Sequence, residues 1–229
     1  MIAILQNITT ALNVMIILLK WPVALVCAIL LPGFFWALWK AMVQLVALSL
    51  QLWPFWLGFV VFMFLVRRFW RQSAVLLWLW TFEHEVTHAL FALATLHPVV
   101  DFRVGPDHGY VKYIGIDTWL IRIAPYFFPL YLLTALSILV HTGRAFLAVG
   151  QVILGVTLAS TVLHMLHEFH PKQPDLDTTG RVFAWFFVPA ANVATWGLFL
   201  FFFFRGYSGI HRWWTLSWQT ARLFWKSFT

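Results

Sequence analysis

Charge is what this sequence has least of. Only 10% of its residues are Asp, Glu, Lys or Arg, against about 25% in an ordinary soluble domain. Hydrophobic residues make up 62%, and the mean hydropathy is +0.83. That shortage excludes a soluble domain carried on a single anchor, because apolar stretches run through most of the 229 residues and leave no room for one. Cysteine is almost missing as well. Cys27 stands alone in an apolar run, so no internal disulfide is possible and cysteine usage says nothing about compartment. There is no internal repeat. The opening residues, Met1-Ile2-Ala3-Ile4-Leu5-Gln6, lack a basic n-region and a small-residue cleavage site, so they read as the approach to a first span and not as a removed signal. The net charge of +7 does not point to nucleic acid. Lys and Arg sit in short segments between apolar runs and in the tail, where they set topology and meet anionic lipid, so the bilayer is the expected partner.

What remains is a polytopic membrane protein. A helix needs about 20 apolar residues to cross the hydrocarbon core, and on that measure the chain is expected to be all-α with about six transmembrane helices. Two lie within 8–66, interrupted at Lys20, Pro22, Pro32-Gly33, Lys40 and Pro54. After a basic turn at Arg67, Arg68 and Arg71, a third covers 72–96. Residues 99–104 and 110–114 are β-branched or alternating runs around Gly105-Pro106-Asp107-His108-Gly109, a β-hairpin signal. A fourth span, 119–141, is broken near Pro125 and Pro129. Thr142-Gly143-Arg144 is a turn, and 145–166 is a fifth span. His167 to Gly180 is polar and irregular, and 181–204 is a sixth span with a kink expected at Pro189. In the tail, Trp214, Trp218 and Trp225 fall near one helical face beside Arg212, Arg222 and Lys226, the pattern of an interfacial amphipathic helix. The organisation is thus N-terminal helices over 1–71, a core over 72–204 and the tail over 205–229.

The third span carries Trp80-Thr81-Phe82-Glu83-His84-Glu85-Val86-Thr87-His88, an H-E-x-x-H pattern. Ionisable residues at membrane depth cost roughly 2.5–3.5 kcal/mol each at a helix centre, so a chain that keeps four together has a use for them. Positions i and i+4 share a helical face, which lets His84 and His88 address one ion. A catalytic Zn²⁺ takes three protein ligands and leaves a place for water, whose pKa falls to about 7. Glu85 is then positioned as the general base. Glu83 lies on another face. A polar cluster that merely holds helices together is the bland alternative. The third ligand is expected from His170-Pro171-Lys172-Gln173-Pro174-Asp175-Leu176-Asp177, which opens onto the last span; the return of spans four and five brings Asp177 to the side of the motif. Asp175 is an alternative. His164, His167 and His170 are spaced at i, i+3, and stand as surface residues, ligand-orienting groups or direct ligands. His97, His108, His141 and His211 sit at span ends or turns.

With these residues in view, the chain resembles the site-2 protease family of intramembrane zinc metalloproteases. Three features over about 72–204 carry the likeness: His84-Glu85-Val86-Thr87-His88 followed by Ala89-Leu90, the hairpin Val99 to Ile114, and Pro174-Asp175-Leu176-Asp177-Thr178-Thr179-Gly180-Arg181, which is similar to the family's L-D-G segment. The resemblance implies that His84, His88 and Asp177 ligate zinc, that Glu85 is the base, and that membrane-embedded peptides or proteins are the substrates. Here Thr178 and Thr179 stand between the ligand Asp and Gly180, Ile123-Ala124-Pro125 replaces the family's Ala-Gly-Pro turn, and no PDZ-like insert is present.

A helical substrate hides its carbonyls, and an exposed strand edge would receive it in extended form, main chain to main chain. Val99, Val100, Phe102, Val104, Val111 and Tyr113 are the expected contacts, on whichever of the two strands supplies that edge. Sidedness stays open. The positive-inside rule puts Arg67, Arg68, Arg71, Arg144, Arg205, Arg212, Arg222 and Lys226 in the cytoplasm and the hairpin outside, whereas the resemblance implies a site open to the cytosol. Competing readings are a histidine-box metal oxygenase, disfavoured because no two His are adjacent and Glu85 suits hydrolysis, and a zinc-binding or transport protein without catalysis. Oligomeric state is not legible.

Overall fold

The computed structural model describes residues 2–70, 73–106, 108–141, 147–170 and 173–229, with side chains from residue 7 onwards and Trp70 excepted. Arg71, Asp107, the Thr142-Gly143-Arg144 turn, Pro171 and Lys172 lie outside the described residues. The order is α1 (Ile2–Ala47), α2 (Trp53–Leu65) with a π-type turn over Val66–Trp70, α3 (Ala74–Ala94), β1 (Val99–Val104), β2 (Gly109–Tyr113), α4 (Trp119–Ile123) with a 3₁₀ turn over Ala124–Tyr126, α5 (Leu130–His141), α6 (Leu147–Glu168), α7 (Pro174–Thr179), α8 (Arg181–Arg205) and α9 (Tyr207–Lys226).

Among the described residues, three helices are long and apolar enough to cross a membrane: Asn7–Ala47, Leu147–Glu168 and Arg181–Arg205. Two bent pairs, α2 with α3 and α4 with α5, bring the number among these residues to five if each pair is one span, against the six expected. Two physical reasons account for the difference. α2 has 13 residues, about 20 Å of helix, too little to cross a core of about 30 Å alone. α1 runs unbroken through Lys20, Pro22, Pro32 and Lys40, which looked like interruptions. An internal proline removes one N–H and crowds one carbonyl, and neighbouring helices in a membrane bundle absorb that. Between α4 and α5 the break falls at Pro125 and Pro129, where it was expected.

α3 stops because Thr95 caps it and Leu96 turns left-handed, at φ 63°. The His97 N–H then bonds back to the Ala92 carbonyl at 2.8 Å, a Schellman-type ending in which leucine stands where glycine is usual. The chain leaves directly into β1. The hairpin pairs Asp101 with Lys112, Phe102 with Val111, Arg103 with Tyr110 and Val104 with Gly109, with an irregularity at Val100. Gly105 donates to the His108 carbonyl at 2.9 Å, which makes that pair a hydrogen-bonded one. Alternation along an antiparallel ladder then turns the N–H and C=O groups of Tyr110 and Lys112 towards β1. Those of Gly109, Val111 and Tyr113 turn outward, to the free edge of β2.

Two apolar clusters are strung along α1 and α8. One joins Leu30 to Leu45 of α1 with Phe55, Leu132, Leu154 and Phe199–Phe201. There α2 and α6 cross with backbones touching: a Cβ on Gly155 would lie 2.0 Å from the Phe55 carbonyl oxygen, and one on Gly58 2.3 Å from that of Val152. The other cluster joins Ile16 and Ala24 of α1 with Trp119, Ile123, Tyr126, Leu176 and Phe183–Ala191, and it underlies the site. The tail is one helix. α9 folds back along α8 and α1, with Gly209, Trp213, Ser217 and Ala221 buried and Trp214, Trp218 and Trp225 exposed. Trp213 stacks on Phe34, and the Trp225 indole donates to the Ile29 carbonyl at 2.8 Å.

Candidate metal centre

His84 and His88 project from one face of α3, and Asp175 meets them from the first turn of α7. The two Nε2 atoms are 3.1 Å apart, and Asp175 Oδ2 is 3.7 Å from that of His84 and 3.4 Å from that of His88. Four ligands held tetrahedrally at 2.0–2.1 Å are separated from one another by about 3.3 Å, so these three atoms have a spacing that suits a metal donor set. Chemistry supports the same fit. His88 Nδ1 lies 2.8 Å from the Ile121 carbonyl, which can only accept, so the proton sits on Nδ1 and the Nε2 lone pair faces the cluster. His84 Nδ1 is buried without a hydrogen-bond partner and lies 3.8 Å from Glu168 Oε2. Two imidazole nitrogens and a carboxylate oxygen converge here at distances that suit a cation among them. The group could hold a metal ion.

Asp177, the expected third ligand, does not join this group; it forms a two-pronged ion pair with Arg181 on the exposed side of α7. The reason is helical phase. Pro174 opens α7 at its first position, and residues two apart on a helix lie about 200° apart. With Leu176 buried between them, Asp175 turns to the histidines and Asp177 turns away. Asp175 lies outside the spans; burial acts to raise its carboxyl, but the His84 and His88 imidazoles more than offset this and hold it well below the usual carboxylate range. Tyr126 O–H also donates to Asp175 Oδ2, at 3.3 Å.

The three other histidines part company. His164 is buried, donates from Nδ1 to Glu83 Oε2 at 3.1 Å and stacks on Trp80. Glu83 also accepts from the Tyr131 N–H at 2.9 Å, so it ties α3 to α5 and α6 and takes no direct part in the donor set. His167 is exposed and pairs with Glu168 at 3.1 Å. His170 lines the cavity beside the donor set.

That cavity measures about 690 Å³, and Glu85 lies on its wall, 7% exposed. Gly109 presses against it: a Cβ there would fall 2.5 Å from Glu85 Cγ and 2.8 Å from Oε1. Gly109, Tyr110, Val111 and Tyr113 of β2 all line the cavity, and no residue of β1 does. Consecutive side chains on a strand point to opposite faces, so Tyr110 and Val111 can border the same space only if it runs along the strand's edge. Of the expected substrate contacts, Val111 and Tyr113 are therefore at the cavity, while Val99, Val100, Phe102 and Val104 are on the far strand. Phe102 packs edge-on against Phe82 of α3, holding the hairpin to the motif helix. The near end is pinned by Asp117, which accepts from the Tyr113 hydroxyl and from Arg122 of α4, both at 2.5 Å.

Sequence reasoning missed Ile121, Gly109, Tyr126 and Glu168. A backbone carbonyl carries no residue signal, but the proline at 174 was a usable sign that Asp175 and Asp177 face opposite ways. Comparisons with protein-family models, curated proteins and solved structures each return no match.

Proposed function

We propose that this chain is an intramembrane zinc metalloprotease that hydrolyses peptide bonds in or near the transmembrane segments of membrane-protein substrates. What supports the reading is a single juxtaposition: the His84, His88 and Asp175 donor atoms, the Glu85 carboxylate and the outward edge of β2 border one cavity. A zinc ion held by His84, His88 and Asp175 would lower the pKa of water and polarise the scissile carbonyl. The Ile121 carbonyl keeps the His88 ring in the tautomer that a ligand needs. Gly109, Val111 and Tyr113 offer main-chain donors and acceptors to an unwound substrate segment, which adds as a third strand. Glu85 accepts one proton of the attacking water and returns it to the departing amine, so that one water and one peptide bond become a carboxylic acid and an amine.

The test is Glu85→Gln in purified protein, with metal content measured alongside cleavage of transmembrane peptides. The expected outcome is zinc retained at the wild-type ratio and cleavage lowered by at least about a hundredfold, within the range general bases supply. Iron in place of zinc would favour the oxygenase reading. Zinc with no cleavage by the wild type of any transmembrane peptide would favour a binding or transport role.

A further inference from the structure

The inference concerns α1, which lies outside the stretch that carries the family likeness, and it rests on the metal-centre reading above. Lys20 sits in α1, between Leu19 and Trp21, both largely exposed on the apolar surface. Its ammonium donates to the carbonyl of Thr179 at 2.5 Å across 159 residues. It also lies 5.0 Å from the ring centroid of Phe183 and 5.9 Å from that of Trp21. Thr179 is the last residue of α7, and Gly180 follows at φ 98°. The final carbonyls of a helix have no partner of their own and carry the negative end of the helix dipole. A cation there satisfies the carbonyl and fixes the end of the helix.

We infer that Lys20 is a positioning residue for the metal centre: by capping α7 it sets the place of Asp175 against His84 and His88. α7 has six residues, so Asp175 and Thr179 are one turn apart on the same short helix, and moving one end moves the other. The other directed ties on α7 act at its opposite end, where Tyr126 donates to Asp175 at 3.3 Å and the cap residue Gln173 donates to Glu168 at 2.7 Å, and leave the last turn to Lys20. Leu176 is buried among Ile16, Tyr126 and Phe183, an apolar contact that tolerates sliding. Asp177 pairs only with Arg181 of the following helix. A second bond ties the same stretch of α1 to the other side of the centre: the Trp119 indole donates to the Ile16 carbonyl at 2.5 Å, holding α4, whose Ile121 carbonyl orients His88. One turn of α1 thus references both the carboxylate and an imidazole of the donor set.

The experiment titrates Zn²⁺ against a competing chelator, and records the Co²⁺ ligand-field spectrum, in the full-length wild type, Lys20→Met, Lys20→Arg and Lys40→Met. Lys40 lies on the same helix, over Trp36 at 5.0 Å, away from α7. We expect Zn²⁺ affinity to fall about tenfold in Lys20→Met, the low end for outer groups that orient ligands, with an altered Co²⁺ spectrum. Lys20→Arg should recover most of the affinity, and Lys40→Met should match the wild type. Equal affinity and spectrum in Lys20→Met and wild type overturn the positioning role while leaving the metal centre standing. A comparable loss in Lys40→Met also overturns it, since the effect would be general to α1. Failure of the wild type to bind Zn²⁺ one to one overturns the metal reading itself.

Discussion

α1 and α8 run side by side through two regions that are held together by different means. Around Leu30 to Leu45 the contacts are apolar, and helices touch backbone to backbone at Gly58 and Gly155. Around Ile16 to Ala24 the apolar cluster is overlaid with directed bonds from side chains to main-chain carbonyls: Trp119 to Ile16, Lys20 to Thr179, His88 to Ile121, and Asn192 to Tyr126 at 2.7 Å. Small residues let helices approach closely and gain dispersion contact, which is enough to define a bundle. Apolar contact does not decide where a ring nitrogen points. A donor set whose members must agree within a few tenths of an ångström needs hydrogen bonds, whose strength falls off steeply with angle. The first region makes the fold, and the second aims the side chains.

Three tests would break or sharpen that division. Gly155→Ala should have the largest effect. Its methyl has no room at the Phe55 carbonyl, and an overpacked contact of this kind costs about 3 kcal/mol or more; we expect loss of folded protein in a thermal-unfolding assay, whatever the metal. A stable, zinc-binding Gly155→Ala would show that α2 and α6 can separate freely. Next comes Asp175→Asn against Asp177→Asn. The first should weaken Zn²⁺ by more than about a hundredfold, beyond what outer groups contribute, and leave the fold intact. The second loses only a solvent-screened ion pair with Arg181 and should leave metal affinity unchanged; the reverse result would restore Asp177 as the ligand. Smallest is Val111→Pro, which removes an outward N–H of β2 and no bond to β1. Cleavage should fall about tenfold, the worth of one well-placed hydrogen bond, with zinc retained. Val111→Ala keeps the N–H and should cleave normally. Equal cleavage by all three forms would remove the strand edge from the mechanism.

Much of this was visible in the chain before any coordinates. Helical spacing placed His84 and His88 on one face, Pro125 and Pro129 marked the break between α4 and α5, and the turn residues Gly105-Pro106 located the hairpin between its two β-branched runs. What escaped was of two kinds. Pro22 and Pro32 read as interruptions because their local cost is real, yet α1 continues through both. The choice between Asp175 and Asp177 turned on the phase of a helix of six residues, too short to show a period. Lys20 and Thr179 lie 159 residues apart, and no local pattern joins them.

The outward edge of β2 is five residues long, and only Gly109, Val111 and Tyr113 present main-chain groups along it. Successive outward residues on a strand are about 7 Å apart, so on the proposed reading the edge would meet an incoming chain in steps of two. A chain slipped by one residue would present the wrong set of amides and lose the grip, whereas one slipped by two would keep it. Cleavage by such an edge would fall at alternate bonds, as a ruler with marks every second residue. A grip of so few bonds would also select for segments that unwind readily, so glycine and other helix-weakening residues near the cut would matter more than any particular side chain.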